Sequence, residues 1–169
     1  APEFGTHAAG QILRLHGAPK VNADQMQVKP ITHPSTANAT ASPGAQHSGL
    51  YREPLPLVDG TLVAVHTAET RQDSNIGSTA SPQSRYSFRL KTLTGLGNGY
   101  YGAAQTLTPG IVKNISYWNP DTLVTYNGPL WELNPVEVRP RPRPARSGER
   151  RGAEAARGVP LSAERQNQP

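Results

Sequence analysis

The sequence predicts an all-β fold built from antiparallel sheets, and three observations lead to that expectation. No stretch before residue 138 has the periodicity of an amphipathic helix. Short apolar runs rich in β-branched or aromatic residues recur instead, with turn signals between them. The 169 residues also include 17 prolines and 16 glycines, a composition rich in loops. A single domain of short strands is therefore expected.

Composition divides the chain into three segments. Residues 1–7, APEFGTH, are expected to be an expression-vector remnant, because common restriction sites encode Glu-Phe and Gly-Thr. Residues 8–138 form the predicted β-sheet body. Residues 139–169 form an Arg/Pro-rich tail without an aromatic residue, which we expect to be disordered because it cannot bury enough apolar surface to offset its ordering entropy. The Arg/Ala/Gly/Pro/Glu composition of this tail is that of GC-rich DNA read out of frame, which suggests the hypothesis that part of it is an out-of-frame product.

The body begins with two short apolar runs that are each compatible with a strand. They are QILRLHG at residues 11–17 and MQVKPI at residues 26–31. Residues 32–49 are small and polar and are interrupted by Pro34 and Pro43, so they are predicted to form a long surface loop.

Residues 52–67, REPLPLVDGTLVAVHT, carry the most regular pattern in the chain. Pro54 and Pro56 cannot donate ladder hydrogen bonds, so the first part is predicted at a sheet edge or strand start. The Asp-Gly pair at 59–60 predicts a hairpin with a type I′ turn, in which both central residues need positive φ. In the strand that follows, one face carries three residues and ends at the next loop: Leu62, Ala64 and His66.

The second half of the body continues the same alternation of strands and turns. Residues 68–84 are predicted to form a second long polar loop. RYSFRLKTL, 85–93, alternates strictly and predicts a half-buried strand whose inner face holds Tyr86, Phe88 and Leu90. Residues 100–107 are predicted to pair back on it. Residues 108–141 are expected to supply three more strands, separated by turns at Asn-Pro-Asp and Asn-Gly.

Charge and composition exclude several classes of function. Eight arginines and three glutamates lie from residue 139 onward, so that segment holds the whole net charge of +5 and residues 1–138 have a net charge of zero. A nucleic-acid partner is therefore not expected. No apolar run approaches the length of a membrane span, so a membrane partner is not expected either. The absence of cysteine excludes disulfides, thiolate zinc sites, c-type haem attachment and a cysteine nucleophile.

Three histidines next to the long loops are the candidate chemical groups of the body. His33 and His47 bracket the first loop, and His66 opens the second; loops on one side of stacked sheets could bring them together, with Asp59 or Asp73 as an oxygen ligand. Imidazole and carboxylate suit Zn²⁺ or a similar divalent ion, which can activate water for hydrolysis. The simpler interpretation is that these are loop and strand-end histidines, with His66 capping the sheet through a hydrogen bond to a loop carbonyl.

Two further patterns allow both a functional and a structural interpretation. A Ser/His/Asp set could be composed around residues 59–74, but no nucleophile-elbow motif supports it, so a solvated loop is the simpler interpretation. The aromatic residues could line a groove for a carbohydrate or aromatic ligand, or could pack between sheets; they are Tyr100, Tyr101, Tyr117, Trp118, Tyr126 and Trp131.

Three stretches of strand and turn motifs carry a resemblance to a known family. They are SGLYREPLPLVDGTLVAVHT (48–67), SRYSFRLKTL (84–93) and ISYWNPDTLVTYNGPLWELNPVEVRPRP (115–142). Together they resemble the β-propeller region of bacterial proteins related to the hydrazine synthase alpha subunit, over roughly residues 15–144. The resemblance implies antiparallel sheets stacked as partial β-propeller blades, about three at the usual repeat length, too few for a closed ring. It also implies an exported parent protein, but without Cys-x-x-Cys-His the family's haem binding and redox activity do not carry over.

Two functions from different classes follow. The first is a non-catalytic β-propeller fragment that acts as an interaction or scaffold module of an exported bacterial protein and needs no cofactor. Its open sheet edges predict self-association. The alternative is a metal-dependent hydrolase with a small-molecule substrate, such as an activated phosphate ester, at the histidine site. A stoichiometric divalent ion lost on EDTA treatment would favour the second.

Overall fold

The computed structural model describes residues 9–141, in which all regular structure is β-strand apart from two short 3-10 turns, Ala23–Gln25 and Pro34–Ala37. The expectation of an all-β chain with antiparallel sheets is confirmed for these residues. The expected vector remnant at 1–7 and most of the expected tail, residues 142–169, lie outside them. The chain divides into two units, Ala1–Glu137 and Val138–Pro169, and every strand and site described below belongs to the first.

Three antiparallel sheets make up the described body. A small hairpin contains β1 (Leu13–His16) and β2 (Gln27–Pro30). A four-stranded sheet runs in the order β3-β4-β5-β6, and a second hairpin pairs β7 with β8. The bounds of these six strands are β3 Leu50–Pro56, β4 Leu62–Thr67, β5 Arg89–Gly95, β6 Tyr101–Thr106, β7 Ile111–Asn119 and β8 Thr122–Leu130. None of the helices in residues 9–141 is long and apolar enough to cross a membrane.

The β3–β4 hairpin lies where the Asp-Gly pair predicted it, but its turn is of another type. Only Gly60 has positive φ, at 88°, whereas a type I′ turn needs positive φ at both central residues. The loop is longer than two residues and is closed by a hydrogen bond from Leu57 N–H to the carbonyl of Thr61. Asp59 stabilises it by accepting from the Thr61 N–H at 2.9 Å. The two prolines of β3 lie on the edge strand of the sheet, as predicted.

The first polar loop is not wholly a surface loop, contrary to the expectation for residues 32–49. Thr32 and Thr36 are fully buried. Their hydroxyls lie 3.0 Å apart, and the Thr32 hydroxyl also accepts from the Ile12 N–H at 3.0 Å. Because each buried hydroxyl has a partner, burial carries little penalty. A polar composition therefore did not imply exposure here.

The four-stranded sheet has an apolar cluster on each face. The buried residues of one cluster are Ile12, Tyr51, Ala64 and Leu93, and the partly buried Leu62 and Ala103 pack against them. All four strands of the sheet therefore contribute to this cluster. The other face is covered by residues from loops and from the segment after β8; its buried members are Leu50, Val65, Tyr86 and Phe88. The alternation of β4 thus places neighbouring residues in different clusters.

Backbone hydrogen bonds connect both edges of this sheet to the N-terminal segment. Gly10 exchanges two hydrogen bonds with Tyr51 at the β3 edge, with N–O distances of 2.8 and 2.9 Å. At the β6 edge, the Tyr101 N–H donates to the carbonyl of Ile31, and the Ile31 N–H donates to the carbonyl of Ile12, each with an N–O distance of 2.8 Å. They are isolated bonds rather than a strand ladder, so they do not close the sheet.

The predicted third strand in residues 108–141 is absent from the described structure. The Asn-Pro-Asp turn joins β7 to β8 as expected, but the Asn-Gly pair lies within β8 and continues it. After β8 the chain packs beside the start of β5 instead of adding a strand. The Glu132 N–H donates to the carbonyl of Phe88, and the indole N–H of Trp131 donates to the carbonyl of Tyr86. The Glu132 carboxylate then accepts from the Leu90 N–H at 2.7 Å and from Arg89 and Thr108.

Candidate functional site

His66 lies near the end of β4 and is buried, with 4% of its surface exposed. Its Nε2 is 2.7 Å from the carbonyl oxygen of Ser48. A carbonyl only accepts, so Nε2 donates, and in the neutral ring Nδ1 carries the lone pair. Burial lowers the pKa of His66 to about 4, and the hydrogen bond to Ser48 only partly opposes this effect. The expected cap, a hydrogen bond from His66 to a loop carbonyl, is confirmed.

His33 and His47 use their rings within the first loop. Nδ1 of His33 accepts from the Ser35 N–H at 3.2 Å. Nδ1 of His47 accepts from the Gly49 N–H at 3.3 Å, and its Nε2, 3.1 Å from the carbonyl of Asn38, therefore donates. Both rings stabilise local turns.

The two candidate aspartates also make local contacts. Asp59 lies in the turn before β4, so the length of that strand separates it from His66. Asp73 Oδ1 accepts from the Ser84 hydroxyl at 3.1 Å. Within residues 9–141, no three His, Asp or Glu side chains are placed to share a metal ion. The structure does not bring His33, His47, His66, Asp59 and Asp73 together.

The second polar loop folds back on itself as a hydrogen-bonded arm, defined here as residues 73–85. Backbone bonds join Arg85 to Ser74 at 3.1 Å and Ile76 to Gln83 at 2.8 Å, and two more close its tip. Asn75 Oδ1 accepts from the backbone N–H groups of Gly77 and Gln83, at 3.0 and 2.9 Å. These bonds hold the arm in one conformation. Sequence reasoning missed it, although an asparagine two residues before a glycine is a turn signal.

A cleft opens between the arm and the β7–β8 hairpin, and we call it the aromatic cleft. The part nearest the arm has a volume of about 480 Å³, and an overlapping part of about 330 Å³ continues along the hairpin. Both parts are lined by Pro82, Ser84, Tyr126 and Trp131. Polar residues of the arm line the first part (Asp73, Ser74, Asn75 and Gln83), and apolar hairpin residues line the second (Ile115, Tyr117, Pro129 and Leu130). Three of the six aromatic residues considered for a groove thus lie together.

The β7–β8 hairpin exposes a second surface on its opposite face, which we call the outer hairpin face. Every residue of β7 is exposed, including Trp118 with 68% of its surface and Val112 with 71%. Apart from the cleft residue Pro129, the outer hairpin face consists of Val112 and three cross-strand pairs, none of them charged: Asn114–Asn127, Ser116–Thr125 and Trp118–Leu123. Val112, Trp118 and Leu123 give this face exposed apolar surface, which suits an interaction site.

In comparisons with known proteins, no family model, no curated protein and no solved structure matches this chain.

Proposed function

We propose that this chain is a non-catalytic interaction module that associates with a second copy of itself through the free edge of β7. The single observation that carries the proposal is the direction of the β7 backbone groups. In an antiparallel pair, alternate residues turn their N–H and C=O groups away from the partner strand. The Thr125 N–H points away from β7, because it donates to the carbonyl of Ala80 at 2.8 Å. Its cross-strand partner, Ser116, therefore turns its own N–H and C=O away from β8.

By the same alternation, four residues of β7 form an outward row of donors and acceptors: Val112, Asn114, Ser116 and Trp118. In residues 9–141 no other strand pairs with this edge. Natural edge strands usually block such pairing with charge or proline. Here Lys113 is the only charged residue of β7, and its side chain belongs to the opposite face of the hairpin.

Pairing of β7 with β7 of a second copy would satisfy this row and would join two hairpins into one four-stranded antiparallel sheet. Because the contact uses the same surface on both copies, it closes as a symmetric dimer. It would also bring the two uncharged outer hairpin faces side by side. A hairpin of two strands is only marginally stable alone, so a further pair of strands stabilises it.

The wider context of the proposal is an exported bacterial protein with partial β-propeller blades. Its supports are the family resemblance of the strand motifs and the up-and-down order of β3, β4, β5 and β6, which is that of a single blade. The alternative, a metal-dependent hydrolase, has no support in residues 9–141, where no three of its five expected ligands are placed to share a metal ion.

Sedimentation velocity over a wide protein concentration range tests the dimer. We expect the wild-type chain to dimerise and Asn114→Pro to be monomeric, because proline removes an outward N–H that makes no hydrogen bond within the hairpin. Asn114→Thr is the matched control, since it keeps the N–H and should keep the dimer. A wild-type monomer at all concentrations, or an Asn114→Pro dimer of unchanged affinity, would contradict the proposal.

A further inference from the structure

We infer that the aromatic cleft is a binding site for neutral oligosaccharides. The cleft pairs an aromatic wall, formed by Tyr126, Trp131 and Tyr117, with a polar wall formed by the arm. Its volume lies in the range usual for small-molecule sites. Its two overlapping parts make it longer than a single compact pocket, which suits a chain of sugar units better than one isolated ring.

The aromatic wall offers ring surface rather than hydrogen-bonding groups. The indole N–H of Trp131 already donates to Tyr86, and the Tyr126 hydroxyl donates to the carbonyl of Pro129. Trp131 is also fixed by an edge-to-face contact with Phe88, at 4.9 Å between ring centroids. Aromatic faces carry partial negative charge, so they attract the polarised C–H groups on the flat face of a pyranose ring. Since both rings are held before binding, little ordering entropy is lost.

Glycine at position 128 allows the Tyr126 ring to lie where it does. A Cβ at this position would lie 3.1 Å from the Tyr126 hydroxyl oxygen and 3.3 Å from its Cζ. The ring therefore folds over the glycine on the same face of β8, a known way to cover a glycine in a strand. The Asn-Gly pair that predicted a turn thus positions the cleft's aromatic wall.

The polar wall supplies both an acceptor and a donor for sugar hydroxyls. Asn75 uses its Oδ1 for two backbone N–H groups, so the side chain's NH₂ group is directed away from them. Asp73 uses Oδ1 for Ser84, and its other carboxylate oxygen can accept. A vicinal diol needs this combination, because each hydroxyl both donates and accepts. The single carboxylate among the lining residues disfavours an anionic ligand.

Fluorescence titration of the full chain tests the inference with Trp131 as the reporter. The chain contains two tryptophans, and Trp118 lies on the outer hairpin face, so Trp118→Phe leaves Trp131 as the only indole. Titrants are the β-1,4-linked hexasaccharides of glucose, xylose, mannose and N-acetylglucosamine. We expect at least one to change the Trp131 emission saturably. Absence of a saturable response to all four would overturn the inference.

Variants then locate the binding site. Asp73→Asn and Tyr126→Leu should each weaken binding about tenfold or more, which corresponds to the loss of one good contact. Tyr101→Leu is the matched control, because Tyr101 is an exposed aromatic residue outside the cleft, and it should bind as the parent does. Far-ultraviolet circular dichroism checks that each variant is folded. Unchanged binding in both cleft variants would overturn the inference, as would saturable binding of a proline-rich peptide but of none of the sugars.

Discussion

At the scale of single residues, His66 is an imidazole buried against an aromatic ring. Its ring is 4.6 Å from the Tyr51 ring between centroids, and its Nε2 caps the Ser48 carbonyl. Its Nδ1 is buried and has no hydrogen-bond partner in residues 9–141. A proton on Nδ1 would place an uncompensated charge in this apolar site, and the nearby positive charge of Lys91 adds to the cost.

The buried ring predicts a loss of stability in mild acid. The pKa of His66 is about 4 in the folded chain, against 6.5 for an exposed histidine. Between these values the unfolded state binds more protons, so the free energy of unfolding falls as pH decreases from 6.5 to 4. His66 contributes its full stability above pH 6.5, and roughly 3 kcal/mol is lost by pH 4. Urea unfolding at a series of pH values measures this slope.

The variant His66→Gln should remove that slope, because glutamine can still donate to Ser48 but does not titrate in this range. Glu69, whose pKa is lowered to about 2 by hydrogen bonds from Arg71, contributes equally to both proteins. His16→Gln, at an exposed position of β1, is the matched control and should keep the wild-type pH dependence. Equal slopes in wild type and His66→Gln would show that another group governs the acid sensitivity.

The face of His66 could be predicted from sequence, but its environment could not. Alternation after the Asp-Gly pair placed His66 on the same strand face as Leu62 and Ala64. The structure agrees, because the cross-strand partner of His66 is Tyr51, which packs in the same cluster as Ala64. Its burial depends on Gly49, 17 residues earlier, which has φ of 103° and allows the loop to approach the ring. A Cβ at Gly49 would lie 2.6 Å from Nε2. Contacts of this kind join residues that are far apart in the sequence, so a pattern of neighbouring residues cannot predict them.

At the scale of elements, the arm shows how a polar loop acquires a fixed shape. Its backbone bonds need the chain to pass very close to Gly77, where a Cβ would lie 2.1 Å from the Ser81 carbonyl oxygen and 2.9 Å from the Gln83 nitrogen. Both atoms belong to the backbone, so neither can move without disturbing the arm. The sequence predicted only a polar loop between Thr67 and Arg85, because hydrophobic patterning reveals structure only where side chains are buried, and none is buried there.

Gly77→Ala should therefore open the arm while leaving the four-stranded sheet folded. Hydrogen exchange of the amides that close the arm, those of Ile76, Ser78 and Gln83, should become faster. Amides of β4 should keep their protection. Gly44→Ala is the matched control, because a Cβ there meets no atom within 4 Å and its φ is not positive. Unchanged exchange in Gly77→Ala would show that the arm tolerates the extra atom.

At the scale of the whole molecule, the strand-forming pattern predicted the class of fold better than the arrangement of sheets. The β3–β4 and β5–β6 hairpins lie where the sequence predicted them, because alternation and tight turns are local signals. The attachment of the N-terminal segment depends instead on single bonds from Gly10 and Ile31 to the two sheet edges. The missing strand after β8 depends on Glu132, whose carboxylate binds the β5 segment and directs the chain past the sheet.

The Arg/Pro-rich tail is predicted to contribute nothing to the stability of the body. Residues 145–169 contain only two aliphatic side chains larger than alanine, Val159 and Leu161, and no aromatic residue. Since burial of apolar surface is the main source of stability, deletion of residues 145–169 should leave the melting temperature of the body unchanged. In a chain of this length about 1 kcal/mol corresponds to a shift of roughly 2–4 °C, which differential scanning calorimetry resolves. The full-length double variant Val159→Ser, Leu161→Ser is the control. A decrease of several degrees on deletion, reproduced by the double variant, would show that these two side chains dock on the body and that composition alone misjudged the segment.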